Sequence, residues 1–336
     1  MITLCEHKKI NYYFICIYAF LLFIQCVSDA ERKNPYDPNS AIYKDYGVIQ
    51  GTVYTLYPPY QPLADVKLAL EPLASFTYTD NSGQFRFQNL SFQDYSLVVN
   101  KQGYAADTCD IIVTNKQAEI NHDFYLNGLP YFSDQVLNVG HISRWWPTDD
   151  LYVLNSEISV NDPDGIADIL NVYLIIPGFQ FQDTLSRTSN PDVFQRLFTI
   201  NQIPVNSIHE LPGYEIVLKI QDRPGYFCTS QPKFISRIVE DTPLTVSPKG
   251  LQIVDSRPHL EWVQFDADFP FTIQLDIVRV DQGINTIIWS QDGIPADSTG
   301  FRVDESLVLG TYYWTVTIED EFGNWSRSRE ASFIVQ

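Results

Sequence analysis

Apolar and polar residues alternate with a period of two in short runs along most of the chain beyond residue 46. A period of two sends successive side chains to opposite faces of a strand, so each run predicts a half-buried β-strand. The clearest runs span residues 47–54, 66–70, 95–99, 214–220 and 307–318, and in the last of these Tyr312, Trp314, Val316 and Ile318 share one face. Shorter or more apolar strands are predicted at 76–78, 85–87, 111–113, 124–126, 151–160, 169–176, 234–239, 258–262, 272–278, 287–289 and 331–335. Turn formers separate them: Asp80-Asn81-Ser82-Gly83, Asn161-Asp162-Pro163-Asp164-Gly165, Asp222-Arg223-Pro224-Gly225 and Asp320-Glu321-Phe322-Gly323-Asn324. One short helix is predicted around residues 191–197. The pattern as a whole predicts an all-β chain, three consecutive β-sandwich domains after an N-terminal signal segment. The predicted divisions are a signal segment over 1–26, a tether over 27–46, and sandwiches over 47–128, 129–245 and 246–336. Gly128-Leu129-Pro130 marks the first break between sandwiches, and a linker over 243–248 the second.

Particular residues in each sandwich carry a resemblance. In the first they are Gly51, Pro62-Leu63, Val66, Leu68, Thr79-Asp80, Gly83, Phe85, Leu90, Tyr95, Leu97, Val99 and Gly103-Tyr104. With these, residues 47–127 resemble the carboxypeptidase regulatory-like domain and its transthyretin-like fold. That resemblance implies an accessory module, sometimes grouped with carbohydrate-binding-like folds. It imports no peptidase activity, because the family's catalytic domain is a separate unit. Residues 129–245 resemble bacterial immunoglobulin-like domains through the Val160-Asn161-Asp162-Pro163-Asp164-Gly165 turn. Residues 246–336 resemble fibronectin type III domains, in which a tyrosine of the penultimate strand closes a corner by bonding back to the main chain. Tyr312 stands in that place.

Charge and the leader place the chain in the cell. The formal net charge is −19, a field that repels phosphate backbones, so no nucleic-acid partner is expected. Lys8 and Lys9 precede an almost wholly apolar stretch over 10–24, the make-up of a secretory leader. Leu22-Phe23-Ile24-Gln25-Cys26 resembles a bacterial lipoprotein box, although Phe23 and Gln25 are bulkier than that motif usually carries. The resemblance implies acylation of Cys26 and export across the inner membrane to the outer membrane or cell surface, held by an N-terminal lipid anchor. Cleavage after Ala30 and an uncleaved anchor are the alternatives. The polar, helix-breaking residues 31–40 form the tether, and Asn34-Pro35-Tyr36-Asp37-Pro38 resembles the stretch after the acylated cysteine in some bacterial lipoproteins. Beyond the leader, Cys109 and Cys228 are expected to pack singly, without the Cys-x-x-Cys spacing of a metal site.

Few residues carry candidate chemistry. Asp162, Asp164 and Asp168 place three carboxylates around a glycine, a spacing that could supply oxygens to calcium, and equally a plain turn. No other cofactor is expected. Asp266 and Asp268 are too close for the acid–base pair of an inverting glycosidase if they share a strand face. The histidines His122, His141, His209 and His259 are too far apart for a paired-histidine metal motif. Aromatic residues make up 14% of the chain, enough to supply rings to a binding surface as well as to cores. Tyr57, Tyr60, Trp145 and Trp146 are the candidates for such a surface, with core packing as the plainer reading. Trp145 and Trp146 cannot both face inward from an extended segment. The expected function is therefore a non-catalytic envelope or surface binding and display protein, with glycans or other envelope proteins as partners. A structural spacer is the alternative, and a hydrolase with an unrecognised site the second.

Overall fold

The computed structural model describes residues 45–336 other than 116, together with residues 34, 37, 39, 40, 42 and 43. The expected signal segment, Cys26 and most of the expected tether lie outside them. The chain divides into two compact units, one up to Asn127 and one from Gly128 to Gln336. Among the described residues the regular structure is β-strand, with four short 3-10 turns and no α-helix.

The first unit holds β1 (Gly47–Thr55), β2 (Lys67–Glu71), β3 (Ser75–Tyr78), β4 (Gln84–Leu90), β5 (Asp94–Asn100), β6 (Asp107–Ile112), β7 (Glu119–Asn121) and β8 (Phe124–Leu126). One sheet runs β4-β1-β7, with β8 also on β1, and the other runs β3-β2-β5-β6. The alternation read from the sequence is the reason they face each other. In β5 Tyr95, Leu97 and Val99 point inward, and in β2 Leu68 and Leu70 do. These side chains meet Ile49, Val53, Phe85, Phe87 and Phe124 in one core. The Asp80 carboxylate shapes the β3–β4 turn by accepting from the amides of Ser82 and Gln84 at 2.8 and 2.9 Å. Gly83 completes that turn at φ 73°, where a Cβ would stand 2.7 Å from the Val53 carbonyl oxygen. The parallel pairing of β1 with β7 and β8 was not legible as period-two alternation.

The second unit holds sixteen strands. The first part contributes β9 (Tyr131–Ile142), β10 (Leu151–Asn161), β11 (Ile169–Ile176), β12 (Phe181–Arg187), β13 (Val193–Thr199), β14 (Val217–Asp222) and β15 (Phe227–Thr229). The second part contributes β16 (Thr245–Ser247), β17 (Gln252–Val254), β18 (His259–Trp262), β19 (Phe271–Asp281), β20 (Ile284–Pro295), β21 (Gly300–Arg302), β22 (Gly310–Asp320), β23 (Trp325–Arg327) and β24 (Ala331–Val335). Each part buries its own core. One is built around Leu154, Ile158, Leu174, Phe198 and Leu218, and the other around Trp262, Leu275, Trp314, Val316 and Phe333. The two parts share one hydrogen-bonded ladder of thirteen strands, joined where β9 pairs in parallel with β23. Gly140 sits at that joint against the Trp325 indole, in space that any Cβ would fill. Asn324 reinforces the joint, its side-chain oxygen accepting from the Val139 amide at 3.0 Å and its Nδ2 donating to Ser236 Oγ at 3.2 Å.

Three sequence expectations need correction. Residues 191–197 are not helical: Val193–Thr199 is β13, paired antiparallel with β10 from Val153 opposite Thr199 to Ser159 opposite Val193. Phe194 and Phe198 fall on one face at either period, four residues being close to one helical turn and also two strand repeats. The β10 ladder decides for strand. Residues 234–239 form no strand. Ile235 and Val239 are buried at a spacing of four, but this irregular segment bonds mainly through side chains and single carbonyls across the unit. The expected linker contains β16, which pairs with β18.

Candidate functional site

The sequence between β9 and β10 leaves the ladder at Ile142 and returns at Leu151, through a loop that carries Trp145-Trp146-Pro147. Because the loop is not extended, neither indole is forced inward. Trp145 is 63% exposed and Trp146 84%, in keeping with the expectation that the two cannot both face inward. Trp145 is nevertheless held in place. Its Nε1 donates to the Glu330 carbonyl oxygen at 2.8 Å, and the Arg329 guanidinium lies 5.0 Å from the ring centroid. The ring stands at the lip of a groove of about 770 Å³ lined by Ser143, Asp150, Thr242, Lys249, Arg329 and Glu330 among others. Cavities of this size suit small organic ligands or one to two sugar rings, and mixed polar and aromatic walls are what such ligands need.

Asp150 is a fixed carboxylate on the groove wall. Its Oδ1 accepts from Ser143 Oγ at 3.1 Å and its Oδ2 lies 3.2 Å from His141 Nε2. The His141 ring is 3% exposed, stacks on Tyr152 at 4.3 Å, and places Nδ1 3.2 Å from the Val239 carbonyl oxygen. Ser143 therefore points its hydroxyl at the carboxylate rather than at the imidazole, an arrangement that does not activate it as a nucleophile. Burial, followed by the nearby Glu240 carboxylate, pushes the Tyr152 hydroxyl up to about 12. That keeps it a neutral donor to Glu240 Oε2, at 3.2 Å.

The two tyrosines expected on the same surface belong to the first unit, and the Trp145 loop to the second. Tyr60, at φ 53°, sets its ring edge-on to Tyr125 at 5.4 Å, and Tyr125 stacks on Tyr54 at 5.6 Å. Tyr57 is 36% exposed and its carbonyl accepts from the Tyr60 amide. Tyr125, which alternation marked only as a strand residue, completes this ring cluster. On the groove, sequence reasoning missed Asp150, Lys249, Arg329 and Glu330. Glu330 is 185 positions from Trp145, and no local pattern links them.

The acidic turn after β10 assembles as its spacing suggested. Asn161 Oδ1 accepts from the Asp162 amide, Asp162 Oδ1 from the Asp164 amide, both at 2.8 Å, and Asp164 Oδ2 accepts from the Gly128 amide. The 3-10 turn Ile166–Asp168 brings Asp168 back beside them. Asp222, at the end of β14, is fully buried in the same neighbourhood. Burial is the largest cause pushing the Asp162 carboxyl up to about 6, opposed by the Asp164 amide and reinforced by the charges of Asp168, Asp164 and Asp222. Asp222 was read from the sequence only as part of a turn, because it lies far along the chain. Asp266 and Asp268 sit exposed between β18 and β19, outside any strand.

Residues 48–127 match the family model of the carboxypeptidase regulatory-like domain. No curated protein matches the chain. The solved structures similar to it include three of different kinds. The match to BcpA, the major pilin subunit of Bacillus cereus, has 12% identity and TM-score 0.29, and covers 85% of this chain and 91% of the pilin. A DUF3823 family protein from Bacteroides ovatus matches at 15% identity with TM-score 0.24, covering 56% of this chain and 97% of that one. The FN1–FN3 domains of chicken CNTN1 match at 11% identity with TM-score 0.28, covering 88% and 92%. The two facing four-stranded sheets of the first unit, taken with the family match, identify residues 48–127 as a carboxypeptidase regulatory-like domain.

Proposed function

We propose that this chain is a non-catalytic surface protein that binds glycan in the groove beside Trp145, on a body tethered through a lipid on Cys26. The observation that carries the reading is the fixed indole of Trp145, bonded to the Glu330 carbonyl oxygen at 2.8 Å on the rim of the 770 Å³ groove. A ring held in advance loses little freedom when a sugar face stacks on it. Asp150, Lys249 and Arg329 then offer acceptors and donors for hydroxyl groups along the wall. Calorimetry of the exported chain against a panel of soluble polysaccharides tests this. At least one is expected to bind, and Trp145→Ala is expected to weaken it tenfold or more, about 1.4 kcal/mol. Equal affinity in the variant, or no binding across the panel, removes the reading.

One observation favours a second reading, that of a structural spacer. The thirteen-stranded ladder through β9 and β23 welds two cores into one compact unit, which suits a body that holds something at a distance. An intact fold with no glycan affinity would favour it.

A further inference from the structure

The loop between β10 and β11 gathers carboxylates that the groove does not use. One oxygen from each of Asp162, Asp164 and Asp168 lies within 4.8 Å of the other two. Calcium–oxygen bonds run about 2.3–2.6 Å, so two ligands on opposite sides of one ion stand at most about 5 Å apart. The three oxygens are therefore close enough together to share a single calcium. A second observation points to a ligand there. Asp162 is only 4% exposed, and its Oδ2 is buried with no hydrogen-bond partner. A buried carboxylate oxygen with nothing to bond is costly unless an ion or a proton completes it.

The surroundings keep the neighbouring arginines occupied elsewhere. Arg187 donates to the carbonyls of Ile166, Ile169 and Pro191, and Arg223 Nε to that of Ala167. Those bonds hold the loop backbone in the shape that presents the carboxylates. The donor set is all oxygen, with no thiolate or imidazole, which disfavours zinc. It is carried on a bent loop rather than an octahedral frame, and calcium tolerates irregular geometry where magnesium does not.

The geometry points to a calcium site formed by Asp162, Asp164 and Asp168, with Asp222 as a fourth carboxylate beside it, that locks the loop between β10 and β11. The site is independent of the glycan groove. Asp164 also accepts from the Gly128 amide at 2.6 Å, so an ion here fixes the first residue of the second unit as well.

The test uses the exported chain stripped with chelator, titrated with calcium chloride in a calorimeter and melted with and without the ion. One calcium per chain is expected, with a melting temperature that rises as calcium is added. Asp162→Asn is expected to abolish both responses while raising the melting temperature of the metal-free protein, because it replaces a buried charge by a neutral amide. A role in the turn alone would lower stability without calcium dependence. Asp164→Asn is the second variant, needed if the first does not fold, and is expected to weaken calcium at least tenfold. Asp266→Asn, on an exposed loop, is expected to leave binding unchanged. The proposal is overturned if no response is seen up to about 10 mM calcium, a ceiling above the weakest extracellular sites. It is equally overturned if the two loop variants bind calcium as the unsubstituted chain does.

Discussion

Tyr312 shows how much one side chain can be made to do by its position on a strand. Its ring is buried and stacked on Phe333 at 5.4 Å, and its hydroxyl reaches back to the Val308 carbonyl oxygen at 2.6 Å. Tyr95 repeats the gesture in the first unit, donating to the Ser91 carbonyl at 3.1 Å, again four residues back. Tyr312→Phe keeps the packing and removes the hydroxyl alone. The expected loss is about 1 kcal/mol, the net worth of one such bond, read as a lower denaturant midpoint at unchanged slope. An unchanged midpoint would show that solvent satisfies Val308 equally well. The corner was legible in the sequence because Tyr312, Trp314, Val316 and Ile318 alternate without a break. Asp162, Asp164 and Asp168 were legible because they are neighbours in the chain. Asp222 and Glu330 were not, because only folding brings them beside their partners.

At the scale of elements, alternation located most strands but not their partners. It named residues 151–160 and 169–176 as strands, and β10 and β11 lie there. It misread β13 because a spacing of four between Phe194 and Phe198 satisfies two periods at once. It could not show the parallel pairing of β9 with β23, since period two fixes which face a residue takes and says nothing about which strand lies alongside. That pairing depends on Gly140, over which the Trp325 ring lies with no room for a side chain. Gly140→Ala is expected to force the indole or the strand aside and cost about 1–3 kcal/mol, the range for overpacking a well-filled site. Thermal melting of the full chain measures it. A melting temperature equal to that of the unsubstituted chain would mean the joint is looser than its geometry implies.

On the scale of the whole molecule, the sequence read correctly as all-β, and its cores match the runs that predicted them. What it could not convey is that residues 128–336 form one compact unit around two cores, because hydrophobic periodicity counts cores and is blind to the ladder between them. The proposed anchor belongs to this scale too. A chain of net charge −19 gains nothing from an anionic membrane surface, so under the proposed function a covalent lipid, and not electrostatic attraction, would hold it there. Mass spectrometry of the N-terminal peptide of the exported protein is expected to show a diacylglyceryl group on Cys26. A chain that begins at Glu31 without lipid would refute the anchor. The pairing of β9 with β23 has one further effect. Each strand, left alone, would present a row of open amides and carbonyls along which another chain could add. Joined to one another, they close the row along β23 and the Gly140–Ile142 end of the row along β9, and wherever copies of the protein crowd together less open edge remains for neighbours to zip into a shared fibre.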